Sequence, residues 1–236
     1  MENFTTTFGN SVADAAPVER AAFIRKTYLL LATAIMAFVV IEAGLFVSGA
    51  AVVILSVISA AGSMGWLLVL GAFMGASFLA TRWANSDTSS ASQSLGLLLY
   101  VIAQAIIFVP LIAMAMYYSG DTTVLVKAGI VTFGLFLGLS LTVFITRTDF
   151  SFLGPILAIG GFVALGFIIS SVLFGFSLGS VFAFVMVAFA STAILYQTSN
   201  ILHQYNTKQH VAASLALFAS ISLLFWYILS IFSSRD

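Results

Sequence analysis

Few residues of this sequence are capable of chemistry. Gly175-Phe176-Ser177-Leu178-Gly179 matches G-x-S-x-G, the turn that presents a serine nucleophile in many hydrolases. A serine attacks only when a base lies within hydrogen-bonding reach of its hydroxyl. The chain has 2 histidines, His203 and His210, and 0 cysteines. The histidines lack the spacing of a metal site, no H-E-x-x-H is present, and there is no thiolate to attack or to ligate. No pattern for a cofactor stands out. Glu42 is the one acidic residue inside a long apolar run, a setting in which a carboxylate is a functional candidate. The densest polar group is Ile194-Leu-Tyr-Gln-Thr-Ser-Asn-Ile-Leu-His203. Gln197, Asn200 and Gln204 follow i, i+3, i+7 spacing and so share one helix face, with His203 beside them.

The elements that hold these residues follow from composition. The chain is 61% hydrophobic and 7% charged, with a mean hydropathy of +1.16, whereas a soluble domain is about 45–50% apolar and about 25% charged. These charges cannot cover a soluble globule, but they suit a chain solvated by lipid. A net charge of 0 offers no field for nucleic acid. Apolar runs cover Thr27–Val47, Met64–Thr81, Leu95–Tyr117, Val124–Thr146, Phe152–Phe174, Leu178–Tyr196 and Val211–Phe232. Each is near the ~20 residues that cross a hydrocarbon core. A lipid-exposed backbone must satisfy its own hydrogen bonds, so the runs are helices, and the absence of strand-period alternation excludes a β-barrel. The expected fold is an all-α integral membrane protein with seven transmembrane helices. Residues 1–26 are expected to form a disordered, polar N-terminal tail, and residues 27–236 the membrane domain. The first run is too long for a signal-peptide core and reads as an uncleaved helix. Ala50–Ala61 is apolar but too short to span; it extends the first helix, lies at the interface, or re-enters.

Loop charges orient the bundle. Arg20, Arg25, Lys26, Arg82, Arg147 and Lys208 fall on one side, and Lys127 and Arg235 on the other. That bias puts the N-terminus in the cytoplasm and the C-terminus outside. Ser177 then lies on the outer side and both histidines on the inner side, separated by most of a ~30 Å core. The G-x-S-x-G match therefore reads as a turn, and no enzyme is expected. Glu42 sits ~24 Å along the helix from Lys26, close to the outer interface, where it would reach water or be protonated. Pro110 should kink its helix, whereas Pro155 falls in a first turn that tolerates proline. Gly71-x-x-x-Gly75 and Gly134-x-x-x-Gly138 read as ledges for packing within the bundle rather than between copies. The polar face at Gln197 must meet polar partners or water. Ser214, Ser220 and Ser222 of the last helix would supply inter-helix hydrogen bonds, or the face lines a vestibule open to the cytoplasm; both readings stand.

Three segments resemble the Bax inhibitor-1 family of seven-helix membrane proteins. Thr146-Arg147-Thr148-Asp149-Phe150-Ser151-Phe152-Leu153-Gly154 is similar to the family's loop T-x-K-D-x-S-F-L-G. Ile194–His203 is similar to its I-L-Y-[DE]-T-S-N-I-x-H segment, and Ser214–Phe225 to its last helix. The resemblance runs from about Arg25 onward and implies a bundle with the last helix near the centre. It singles out Arg147, Asp149 and Ser151 in the loop, and Gln197, Ser220, Asn200, His203 and Arg82 around the polar centre. Within the family the chain is most similar to a proteobacterial branch, the YccA-like proteins, through Thr27-Tyr28-Leu29-Leu30, Ser220 and Ser234-Arg235-Asp236. Calcium-leak members pair two aspartates as a pH-sensitive gate, at positions that match Gln197 and Ser220 here. Glutamine and serine neither titrate as a coupled pair nor attract Ca²⁺ as carboxylates do. The resemblance therefore implies an inner-membrane regulator of the ATP-dependent protease FtsH, acting as a competing, slowly degraded substrate gripped by its cytosolic tail. The alternative it leaves is a pH- or ion-linked leak channel for calcium or another cation, with its di-aspartate gate lost. The implied partners are FtsH and the lipid bilayer, without nucleic acid, cofactor or bound metal.

Overall fold

The computed structural model describes residues 11–86 and 89–233, apart from the side chains of Ser63, Met64 and Ser90. These residues form α1 (Pro17–Val47), α2 (Ala50–Ala60), α3 (Gly62–Ala84), α4 (Ser90–Ser119), α5 (Thr123–Thr146), α6 (Leu153–Phe174), α7 (Gly179–His203) and α8 (His210–Ser233). Seven of these helices are long and apolar enough to cross a membrane, as the runs of apolar sequence predict. Among the described residues there is no strand; one antiparallel bridge joins Ser11 to Asn206. The chain is an all-helical, multi-pass membrane protein.

Several boundaries differ from the expected ones: α4 starts at Ser90 and α7 runs on to His203, and two further differences change the architecture. α1 begins at Pro17, well before Thr27, because Pro17 is preset for a first helical position and Glu19 complements the positive end of the helix dipole. Residues 17–26, expected in the tail, are therefore helical. Met1–Asn10 and Ser234-Arg235-Asp236 lie outside the described residues. The short apolar stretch is α2, a separate helix. Gly49 at φ 79° breaks it from α1, and Gly62 at φ 59° breaks it from α3. α2 packs on α1, α3 and α4. At 11 residues it is ~16 Å long, too short to cross, so it joins α1 to α3 at one end of the bundle. Its exposed Val52, Val53 and Val57 give it an apolar face suited to lipid.

The last helix occupies the centre. α8 packs on α1, α3, α4, α5 and α7, and half of its apolar span is buried (50%), against 6% for α6, which packs mainly on α7 and α3. An aromatic cluster binds α8 to its neighbours. Phe38 of α1 meets Phe108 of α4 edge-on at 5.2 Å, Phe108 stacks on Phe225 at 5.8 Å, and Tyr100 meets Phe218 edge-on at 6.0 Å. α4 runs as one helix through Pro110, capped by the Ser89 hydroxyl on the Ser92 N–H (3.1 Å).

The expected glycine ledges are not packing sites. A Cβ added at Gly71, Gly75, Gly134 or Gly138 meets nothing within 4 Å, so all four glycines face outward. Spacing gives a common face but not its rotation relative to the bundle. Tight approaches are elsewhere, at Gly65 of α3 against the Ile58 carbonyl oxygen of α2, and at Gly96 of α4, where a Cβ would lie 2.6 Å from the Ala80 carbonyl oxygen and 2.9 Å from the Ala84 nitrogen of α3. We expect Gly96→Val to destabilise the protein by about 1–3 kcal/mol through overpacking against backbone. Gly71→Val should be close to neutral. Thermal unfolding in detergent micelles distinguishes the two; equal melting temperatures would show that α3 and α4 are not in register at Gly96.

Candidate functional site

The polar residues of α7 divide among several neighbours. Ser199 is fully buried and serves as the hub. Its hydroxyl oxygen accepts the Phe150 N–H at 2.8 Å and lies 3.4 Å from Asp149 Oδ1. It also lies 3.5 Å from His203 Nδ1, one turn further along α7. His203 Nδ1 stands 3.0 Å from the Ser199 carbonyl oxygen, which only accepts, so the proton of that bond is on Nδ1. Asp149 Oδ1 accepts the Ser151 N–H at 2.9 Å, closing a tight turn. That N–H, ahead of Ser199 and His203, holds the Asp149 carboxyl below the usual carboxylate range. Arg147 ends α5 in the left-handed region at φ 53°, its N–H on the Val143 carbonyl, which turns the chain sharply into the loop. The α5–α6 loop is thus pinned to the last turns of α7.

The structure brings Asp149, Ser151 and His203 together and leaves the other expected residues apart. Gln197 is half-buried and Asn200 almost wholly so, yet neither Gln197 Oε1 nor Asn200 Oδ1 has a hydrogen-bond partner. The Asn200 carbonyl instead accepts the N–H groups of Gln204 and Tyr205. Ser220 is buried, and its hydroxyl donates to the Ala216 carbonyl of its own helix at 3.0 Å. Ser214 and Ser220 of α8 therefore do not bond to the polar face of α7, which was one of the two readings the sequence left open. Ser214 lies 2.7 Å from the carbonyl oxygens of Thr27 and His210. Arg82 is exposed on the last turn of α3 and takes no part in these bonds. Glu42 is turned inward on the buried stripe of α1, 6% exposed and with both carboxylate oxygens unpartnered, rather than reaching interfacial water. Ser177 lies in the turn before α7, whereas His203 ends that helix. The 24 residues of helical rise between Gly179 and His203 put them ~36 Å apart.

Sequence reasoning missed the segment before α1. Val12 is fully buried, and its N–H donates to the Tyr205 carbonyl at 2.9 Å. The Ser11 hydroxyl donates to the His203 carbonyl at 3.3 Å, and Arg20 Nε to the Val12 carbonyl at 2.9 Å. Phe23 and Tyr205 rings lie 6.5 Å apart, and burial pushes the Tyr205 phenol up to about 12. A buried valine in a polar segment is a faint signal, and the α7–α8 turn that covers it is remote in sequence.

The Asp149 turn gives a signed pH dependence. A carboxyl held below its unfolded value contributes stability that is present above about pH 3.9 and is lost as pH falls through the lower folded value. Asp149→Asn retains an acceptor oxygen and should keep the turn at neutral pH; Asp149→Ala should lose it. Hydrogen exchange at Phe150 and Ser151 reads this directly: faster in the alanine variant, near wild type in the asparagine variant, and insensitive to acid there. Equal exchange in all three proteins would show that the carboxylate does not order the loop.

Relatives supply the remaining observation. A family model described as inhibitor of apoptosis-promoting Bax1 matches residues 20–236. An uncharacterized protein of Pseudomonas aeruginosa is 34% identical over 170 residues, covering 70% of this chain and 72% of its own. The Escherichia coli protein named modulator of FtsH protease YccA is 32% identical over 182 residues, covering 74% of this chain and 78% of its own. A match that starts at the first helix, on seven crossings gathered around a central last helix, means that this chain belongs to the Bax inhibitor-1 family.

Proposed function

We propose that this protein is a non-enzymatic regulator of the bacterial inner membrane that binds FtsH and occupies it as a slowly degraded competing substrate. The observation that carries this reading is the 32% identity, over 78% of its length, to an Escherichia coli protein named as a modulator of that protease. The excess of Lys and Arg at the end bearing the N-terminus supports a cytoplasmic N-terminus and a periplasmic C-terminus.

The geometry suits resistance to extraction. A motor that grips Met1–Asn10 meets the docked segment at once. It must strip Val12 from its pocket and break its bond to Tyr205 before force reaches α1. α1 in turn packs on α8 and α4, so removing it opens the centre of the bundle. The cation-leak alternative has less support. Gln197 and Ser220 carry no carboxylate, and the Ser220 hydroxyl is spent on its own helix.

Deleting Glu2–Asn10 should lower co-purification with a proteolytically inactive FtsH and lengthen the half-life of the protein in cells. Val12→Asp, which places a charge in the docking pocket, should shorten the half-life several-fold while co-purification persists. If the truncated and full-length proteins behave alike in both measurements, the tail is not the handle. If the full-length protein fails to co-purify at all, the regulator reading falls. Reconstituted in calcium-loaded liposomes, the protein should give no pH-dependent calcium efflux above empty vesicles; efflux that tracks pH would favour the channel.

A further inference from the structure

Glu42 is the one acidic residue on a long apolar stretch of the chain, and the fold gives it nothing to pair with. It continues the inward stripe of α1 formed by Phe23, Leu31 and Phe38. Neither carboxylate oxygen reaches the surface, and neither has a hydrogen-bond partner. The rise from Glu42 to Val47 puts it ~7.5 Å short of the end of α1, away from the end that carries the docked N-terminal segment.

Charge is missing on the sides that enclose it. α1 packs on α2, α4 and α8, and it meets α5 where Tyr28 lies against Phe136 and Phe144. α2 carries no titratable residue. On α4 the titratable residues are Tyr100, Tyr117 and Tyr118. On α8 they are His210, in the first turn at the opposite end, and Tyr227, whose ring meets Phe182. α5 carries Lys127, which is exposed and lines a separate hollow with Asp121 and Phe232. A metal ion would need several further oxygen ligands, and among the described residues no group of three acidic, histidine or cysteine side chains forms. An ionised Glu42 would thus be an unpaired charge in apolar surroundings, which a buried carboxyl avoids by keeping its proton.

We propose that Glu42 is a proton-binding site of the membrane domain, a neutral acid at neutral pH whose proton keeps that end of α1 turned inward. Removing the proton leaves a charge inside the bundle, and the end of α1 must loosen to bring it to water. The closed bundle therefore binds this proton more tightly than an opened one, and its stability falls as pH rises. The site does not rest on the protease reading, because it involves neither the N-terminal segment nor a partner.

The test uses the full chain in lipid nanodiscs, with isotope-labelled glutamate incorporated. The label enters Glu2, Glu19 and Glu42 alone. At neutral pH the infrared spectrum should contain the carbonyl stretch of a protonated carboxyl group. That band should shift with the label and in heavy water, and it should be lost in Glu42→Gln, which keeps the shape without the proton. It should persist in a Glu2→Gln, Glu19→Gln double variant, which assigns the band if the Glu42 variant does not fold. Thermal unfolding reads the coupling. The unmodified protein and Glu42→Gln should melt alike in mild acid, and the unmodified protein should lose more of its melting temperature as the medium is made alkaline. Absence of the labelled band from the unmodified protein at neutral pH overturns the proposal. So does a band that survives Glu42→Gln or vanishes in the double variant, or an equal alkaline loss of melting temperature in both proteins.

Discussion

Burial of α8 is the constraint on which the rest of the bundle depends. In lipid each helix satisfies its own backbone, and apolar side chains gain little by leaving hydrocarbon for protein. What orders the helices is close packing and a small number of polar ties. α8 provides both. Phe218 and Phe225 interlock with Tyr100 and Phe108 of α4, and Ser214 reaches the Thr27 carbonyl of α1. The other helices take position by what they place against it. α6 packs mainly on α7 and α3 and is left on the rim.

Sequence made the crossings legible because length and hydropathy are one-dimensional quantities, and the bilayer reads them the same way. Rotation about a helix axis is different. Rise along the helix put Glu42 one turn short of the end of α1, which is where it lies, but could not say that it faces inward along the stripe of Phe23, Leu31 and Phe38. Spacing likewise gave Gly71 and Gly75 a common face without showing that the face points away from the bundle, while Gly65 and Gly96, which touch backbone, have no glycine four residues away to mark them. The break at Gly49 was hidden because apolar sequence continues across it; only the positive φ separates α2 from α1.

The polar centre was legible in the same partial way. The i, i+3, i+7 rule grouped Gln197, Asn200 and Gln204, but the residue that organises the site, Ser199, sits off that face and next to Asn200 in sequence. It is found by what it meets in three dimensions, the Phe150 N–H and the Asp149 carboxylate of a loop about fifty positions away in the chain. Of the residues grouped by periodicity, Gln197 and Asn200 each keep a buried side-chain oxygen without a partner.

The last turn of α7 therefore joins three parts of the protein that sequence keeps apart. The α5–α6 loop bonds to Ser199, the segment before α1 bonds to the His203 and Tyr205 carbonyls, and the turn into α8 starts from the Asn200 carbonyl. These ties are hydrogen bonds of 2.8–3.3 Å, each worth about 1 kcal/mol alone. Their arrangement matters more than their number. A pull on the N-terminus would load the α7–α8 turn, and through it α8, which packs on α1, α3, α4, α5 and α7. Docking of the N-terminal segment and burial of α8 are thus linked through the α7–α8 turn, and the last turn of α7 is where the two meet.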